Sequence, residues 1–150
     1  MLEFMQVEHD SGRFRDLVEL RRRVLRIPLG LDFTARQLAE EKEDIHIAAY
    51  LDGELVGCVL LRAVDGPHGA VVQLRQMTVD PDYQGRGVGA KILAVAEELA
   101  VERGFRRIIL HARETATRFY EKAGYVATGE TFIEMTIPHR IMVKQLAASS

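Results

Sequence analysis

Between Met77 and Gly89 the chain reads Met77-Thr78-Val79-Asp80-Pro81-Asp82-Tyr83-Gln84-Gly85-Arg86-Gly87-Val88-Gly89. An apolar strand ends, a turn closes over Pro81, and glycines lead straight into a helical pattern. A helix start presents backbone N–H groups without intrahelical partners at the positive end of the dipole, so it attracts phosphate. Glycine at 85, 87 and 89 removes the Cβ atoms that would hold a pyrophosphate off the backbone. Arg86 can add a charge-assisted contact. Glycine-rich turns before helices are common, however, and most of them bind nothing.

Two known phosphate loops can be excluded. A Walker loop needs Gly-Lys-Ser/Thr at the helix start, whereas Gly89 is followed by Ala90-Lys91-Ile92. A dinucleotide fingerprint needs G-x-G-x-x-G and an acidic residue ending the next strand. Here the spacing is G-x-G-x-G and the next strand ends at His111.

The surrounding elements follow from periodicity. Leu2 to Val7 has the length of a first strand. Leu17, Val18, Val24 and Leu25 recur at helical spacing from Phe14, with Asp10 or Ser11 as cap and a stop near Pro28-Leu29-Gly30. Thr34 and Gln37 match a capping box that opens a short helix through Glu41. Two strands, Ile45 to Leu51 and Leu55 to Val64, flank the hairpin signal Asp52-Gly53. The loop Asp65-Gly66-Pro67-His68-Gly69 leads into a long strand from Ala70 to Val79.

After the glycine-rich turn, Val88, Ile92, Val95, Ala96 and Leu99 form one helical face, with Lys91, Glu98 and Glu102 opposite. Gly104 sits where a left-handed cap belongs. Arg107 to His111 reads as a buried strand, and Thr115 to Ala123 as a short helix closed by Gly124. Tyr125 to Gln145 reads as two strands turning near Thr128-Gly129, with Pro138 forcing a bulge or an edge position in the last. The order βααβββαβαββ is that of an α/β domain with a mixed central sheet flanked by helices.

Bulk properties set limits. A chain of 150 residues fits one domain, here 1–150, which buries roughly two-thirds of its unfolded surface. With 47% hydrophobic and 28% charged residues it has an ordinary globular composition. A net charge of −2 argues against broad neutralisation of nucleic-acid phosphates. No secretory signal stands at the start, and the apolar runs are too short to span a bilayer, so the expected location is the cytoplasm with no membrane partner. The lone Cys58, in the apolar run Gly57-Cys58-Val59-Leu60-Leu61, reads as a small core hydrophobe and not as a nucleophile. The tail from Ala147 to Ser150 is expected to fray.

Gln84, Gly87 and Gly89 occupy the fixed positions of Gln/Arg-x-x-Gly-x-Gly/Ala, the signature of the GNAT N-acetyltransferase superfamily, which the chain resembles. A second family block, Ala-x-x-(aromatic)-Tyr-Glu-Lys-x-Gly-(aromatic), is similar to the run from Ala116 to Tyr125. One helix and one strand separate the blocks, as in the family. The resemblance covers the chain from about Ile45 onward in motif and element order, and the N-terminal third in element order only.

That resemblance implies an acyl-CoA-dependent N-acyltransferase, moving an acetyl group from acetyl-CoA directly to a primary amine of a small molecule or peptide. Met77, Thr78 and Val79 would offer backbone groups to the pantetheine, which can add to a strand edge as a pseudo-strand. Gln84, Gly85, Arg86, Gly87, Val88, Gly89 and Ala90 would hold the pyrophosphate, and Phe119 and Lys122 would flank the pantetheine and the nucleotide end. An N–H near Met77 would polarise the thioester carbonyl. Tyr120 matches the family's tyrosine acid, against the plainer reading of a half-buried core aromatic. No metal is implied, and members commonly form homodimers.

The base is less defined. Histidine titrates in the useful range, so His111 and His139 are the candidates, against the plainer reading of structural or surface residues, and Glu130 or Glu134 could act through a water. His9, His46 and His68 read as solvent or edge residues. Many members carry Asn where Arg113 stands; Arg113 can instead reach a cofactor phosphate or an acidic substrate. Arg22 and Arg26 can select an acidic acceptor, although a solvated helix face is the default reading of such a charge run. The competing class is a non-catalytic acyl-CoA-binding or sensing module of the same fold, which would have no need of the Tyr120 proton.

Overall fold

The computed structural model describes residues 1–65 and 69–146; His68, most of its loop and the tail from 147 therefore lie outside the described residues. The elements run β1 (Leu2–Val7), α1 (Gly12–Arg21), α2 (Ala35–Ala39), β2 (Ile45–Leu51), β3 (Glu54–Ala63), β4 (Val71–Val79) and α3 (Val88–Glu102). They continue with β5 (Arg107–Arg113), α4 (Thr117–Lys122), β6 (Val126–Glu134) and β7 (Ile137–Gln145). The order matches the expected βααβββαβαββ, and the strands form a mixed seven-stranded sheet in the order β1-β2-β3-β4-β5-β7-β6. The fold divides into two compact units: Met1–Arg62 with Gln76–Ala96, and the described residues within 63–75 and 97–150.

In the first unit β1, β2 and β3 pair antiparallel. Asp52 and Gly53 both take positive φ, 50° and 85°, which is the backbone of a primed hairpin turn. Ser11, not Asp10, caps α1: its hydroxyl accepts from the Phe14 N–H at 3.1 Å. The capping box at Thr34 and Gln37 is complete in both directions. Phe14, Leu17 and Leu20 pack with Val7, Ala48 and Cys58 into a core. Gly57 is needed there, because a Cβ would stand 2.6 Å from Ile92 Cδ1 and 2.8 Å from the Thr78 carbonyl.

Past Arg21 the helix changes character. Arg22–Arg26 forms a π-turn in which the Ile27 N–H reaches back to the Arg22 carbonyl. A short 3₁₀ turn, Ile27–Leu29, then closes on Gly30 at φ 73°. Five-residue bonding brings residues five apart nearly into line, and both Arg21 and Arg26 reach the ring of Phe33, at 4.7 and 4.4 Å from its centroid. The reading of this segment as a solvated face therefore fails in part. Arg22 stays at the surface on Asp32 at 2.8 Å, but Arg21 and Arg26 are only 2% and 7% exposed. Arg21 makes a bidentate pair with buried Glu41, at 2.9 and 2.6 Å.

Two histidines also depart from expectation. His46 lies in β2, paired on both sides, and is 1% exposed. Its Nε2 donates to the Glu41 carbonyl at 3.0 Å, and its ring meets Phe14 edge-on. His9, which lies just past β1, donates Nε2 to the Leu38 carbonyl at 2.8 Å. Each of these carbonyls also accepts a backbone N–H, Leu38 from Glu41 and Glu41 from Asp44, so the imidazole takes a second lone pair.

In the second unit β4 runs parallel to β5 from Val71↔Arg107 to Leu74↔Leu110, and β7 lies antiparallel between β5 and β6. The last hairpin turns at Met135 and Thr136, both at positive φ, and not at Thr128-Gly129. Gly129, at φ 72°, instead marks the register shift between Thr128 and Phe132 inside β6. Glycine relieves a bulge as readily as a turn, which is why its local signal misplaces the reversal. Pro138 takes the second of its two expected places, an edge position: it pairs with Ile133 on β6, one position beyond the β5 ladder that ends at Arg113↔His139. Tyr125, 2% exposed, anchors the unit by donating to Glu97 at 2.9 Å, and Lys144 binds the same carboxylate at 2.8 Å.

Two stability predictions follow from the buried polar groups of the first unit. Glu41→Ala strands the Arg21 charge and should cost about 3 kcal/mol, read as a lower urea midpoint; the apolar pair Arg21→Met with Glu41→Leu should cost less. Burial holds the His46 imidazole below its ordinary value of 6.5. Its contribution is therefore full above that pH and is lost as pH falls below it. Urea midpoints of wild type should drop on acidification through this window, and His46→Gln should flatten that drop.

Candidate active site

The first unit carries the phosphate-loop residues. Asp80 caps the turn over Pro81, accepting from the Asp82 N–H at 2.9 Å, and its own N–H donates to the Val56 carbonyl at 2.8 Å. Gln84 folds back and donates Nε2 to the Val79 carbonyl at 3.2 Å. Gly85 and Gly87 both sit at φ 78°, and a Cβ on either would meet no atom within 4 Å. The backbone thus opens onto free space at a helix start, which fits an approaching anionic group. Val88, 4% exposed, anchors the first turn of α3, whereas Ala90 is exposed. Arg86 is exposed with its guanidinium 5.3 Å from the Tyr83 ring centroid, and the Tyr83 hydroxyl donates to Glu54 at 2.9 Å.

The end of β4 leads into this turn. Gln76 has φ 58°, an unusual backbone for a non-glycine residue. Thr78 is 1% exposed and donates its hydroxyl to the Gln76 carbonyl at 2.9 Å, so only its backbone can face a ligand. Met77 and Val79 are half-buried on either side of it. The Gln76 side chain meets Arg26 Nη2 at 3.5 Å, a link that the sequence did not reveal. Cys58 is buried and its thiol is pushed up to about 12 by desolvation, which suits a core residue and not a nucleophile.

The second unit gathers the acid and base candidates. Tyr120 in α4 is 6% exposed, with ring contacts to Phe119 at 4.9 Å and Tyr125 at 5.6 Å. Burial raises its phenol above the ordinary value, so the hydroxyl keeps its proton throughout the neutral range. Phe119 is half-buried and Lys122 is exposed in the last turn of α4. Arg113 ends β5 opposite His139 in register.

His111 and His139 are brought together by the β5–β7 pairing. His111 Nδ1 lies 2.9 Å from Glu134 Oε1, and His139 Nε2 lies 3.8 Å from Glu134 Oε2. His139 Nδ1 donates to the Ile137 carbonyl at 2.9 Å. Phe132 fills the space between the rings, edge-on to His111 at 5.2 Å and stacked on His139 at 6.0 Å. Glu134 thus meets His111 directly, while Glu130 is exposed in β6. The sequence pointed to Glu134 as a candidate but not to Phe132, nor to the sharing of that carboxylate by two imidazoles. Their signal, alternate residues 132, 134, 137 and 139 on one face, is visible only once the hairpin turn is placed at Met135-Thr136.

Comparison with known proteins identifies the family. Residues 14–125 match the model of the acetyltransferase (GNAT) family. YjcF of Bacillus subtilis (strain 168), named an uncharacterized N-acetyltransferase, is 37% identical over 106 residues, covering 69% of this chain and 72% of that protein. YyaT of the same organism is 31% identical over 102 residues, 68% of this chain and 66% of its own length. The chain spans about two thirds of the length of the first curated relatives it matches. A candidate N-acetyltransferase from Lactobacillus plantarum has a crystal structure that matches with a TM-score of 0.82 at 26% identity, over 97% of this chain and 99% of that one. An aminoglycoside 6'-N-acetyltransferase complexed with coenzyme A shares the fold, with a TM-score of 0.78 at 18% identity and 99% coverage of both chains. The chain belongs to the GNAT acetyltransferase family.

Proposed function

We propose that this chain, as one acetyltransferase domain, transfers an acetyl group from acetyl-CoA directly to a primary amine on a small molecule or peptide. The observation that carries this reading is the open backbone at Gly85 and Gly87 ahead of α3. It supports pyrophosphate held by the N–H groups and dipole of the helix start, with Arg86 swinging from Tyr83 to add charge. Backbone groups of Met77, Thr78 and Val79 would bind the pantetheine; Phe119, Lys122 and Arg113 are the cofactor contacts that the family resemblance implies for the second unit. Acetyl-CoA would supply the activated acyl group as a thioester, in the cytoplasm as the expected setting.

The protein's own groups have three tasks. The Met77 N–H donates to the carbonyl oxygen as charge builds there. A histidine of the His111–His139 pair takes a proton from the substrate ammonium, which frees the nitrogen lone pair to form the new N–C bond. Tyr120 gives its proton to the sulfur as the C–S bond breaks, and the remaining amine proton returns to the tyrosinate. Tyr120 in its intact block favours an enzyme over a non-catalytic acyl-CoA sensor, because a sensor has no need of a proton donor.

Saturating acetyl-CoA should raise the melting temperature of wild type, by about 2.7 kcal/mol of added stability at a hundred times Kd. Gly87→Ala fills the open space at a positive φ and should weaken binding by about tenfold in calorimetry; unchanged affinity would remove the loop from the cofactor site. Thiol release followed across an amine panel should show kcat about 100-fold lower in Tyr120→Phe with KM for acetyl-CoA retained. Equal kcat in the two proteins would deny Tyr120 the acid role.

A further inference from the structure

Cross-strand partners share a face of a sheet. The pairs Arg113↔His139, His111↔Ile141, Phe132↔His139 and Glu134↔Ile137 therefore set His111, Arg113, Phe132, Glu134 and His139 on one face of β5, β7 and β6. Ile108, Leu110, Ala112 and Met142 fill the other and are buried. On the polar face one carboxylate stands between two imidazoles, and the two contacts differ. The 2.9 Å contact to His111 is a hydrogen bond, and an ionised carboxylate can only accept. His111 Nδ1 therefore carries the hydrogen, and its lone pair is on Nε2. The 3.8 Å approach to His139 is too long for a hydrogen bond, and His139 already spends Nδ1 on the Ile137 carbonyl. The His139 side chain is 7% exposed against 30% for His111.

We infer that Glu134 is a positioning residue which fixes His111 in its Nδ1–H form and so makes His111 Nε2 the base, with His139 confined to supporting the site. The inference rests on the acyl-transfer reading for its reaction and on the hydrogen-bond geometry for the tautomer. In the step, the ammonium N–H bond breaks, the proton goes to His111 Nε2, and the electron pair stays on the substrate nitrogen. The imidazolium so formed faces Glu134, and their bond becomes charge-assisted. Among the described residues, Glu134 on β6 and His139 on β7 face His111 from neighbouring strands, Arg113 stands two residues along its own strand, and Arg75 follows the Leu74↔Leu110 pair on β4. Phe132, edge-on to His111 and stacked on His139, keeps the two rings apart. The same arrangement explains why two histidines far apart in the chain, each ambiguous by itself, take different roles.

The test separates tautomer from turnover. Long-range ¹H–¹⁵N spectra of the imidazoles should show His111 as Nδ1–H in wild type and in Glu134→Gln, whose amide oxygen still accepts. In Glu134→Leu it should revert toward the Nε2–H form favoured in water. His111 found as Nε2–H in wild type, or unchanged in Glu134→Leu, would overturn the inference whether or not the protein turns over any amine. In kinetics, Glu134→Leu should lower kcat by about 10- to 100-fold with KM for acetyl-CoA unchanged. Glu134→Gln, which removes the charge alone, should move the acid limb of kcat/KM to lower pH, because the imidazolium loses its counter-charge. An unmoved acid limb in Glu134→Gln, or His111→Gln with wild-type kcat, would equally defeat it. Wild type that binds acetyl-CoA but releases no thiol with any amine would instead count against the transfer reading and leave the spectra to decide the tautomer.

Discussion

Strand β4 has to serve two purposes, and the residue at which it changes from one to the other is Gln76. Up to Leu74 its backbone is committed to a parallel ladder with β5. At Gln76 the chain turns to φ 58°, a conformation that costs a non-glycine residue on the order of 1 kcal/mol. The surroundings hold it there. The Thr78 hydroxyl binds the Gln76 carbonyl, and Arg26 meets the Gln76 side chain. Beyond that point Met77, Thr78 and Val79 run into the turn over Pro81, and the glycines open the start of α3. A strand that continued regularly would keep its N–H and carbonyl groups for the sheet and offer none to a ligand.

The N-terminal helices of the first unit support this break. Arg26 reaches Gln76 because the chain winds into a π-turn between Arg22 and Arg26. The π-turn in turn sets Arg21 and Arg26 on the ring of Phe33, and Arg21 locks onto Glu41 in the interior. Two buried guanidinium groups are an unfavourable way to build a core unless each finds a carboxylate, an amide or an aromatic face. Here those partners come from α2 and its flanks, so a segment with weak helical signals of its own is fixed by the charges it neutralises. His46 adds its imidazole N–H to the Glu41 backbone and completes the same knot.

In the second unit the organising rule is the alternation of the strands. One face of β5 and β7 carries the buried Ile108, Leu110, Ala112 and Met142, and the other carries His111, Arg113 and His139. The register of β6 then decides which acid meets them. With the reversal at Met135-Thr136, Glu134 lies beside both imidazoles and Glu130 lies inside the register shift between Thr128 and Phe132. Two non-glycine residues at positive φ make this a costly turn. The pairing of β7 with β5 over its whole length from His139 to Gln145 fixes the strand that the turn must join.

Much of the fold was legible from local pattern. The element order, the hairpin at Asp52-Gly53, the capping box at Thr34 and the glycine-rich helix start all depend on neighbours within a few residues, and such signals survive in a single sequence. The two family blocks around Gln84 and Tyr120 were equally local. What the sequence did not determine depends on contacts between distant segments. The burial of Arg21, Arg26 and His46, and the His9 bond to Leu38, needed partners from α2, its flanks and β4, and a charge run looks solvated until those partners are in place. The final hairpin was misread because glycine marks a bulge and a turn alike, and only pairing with β5 distinguishes them. The sequence by itself therefore determined the helix start and the tyrosine block, whose physics is short-range. The tertiary structure alone decided that His111, Glu134 and His139 share a face, because strand register is a property of the whole sheet.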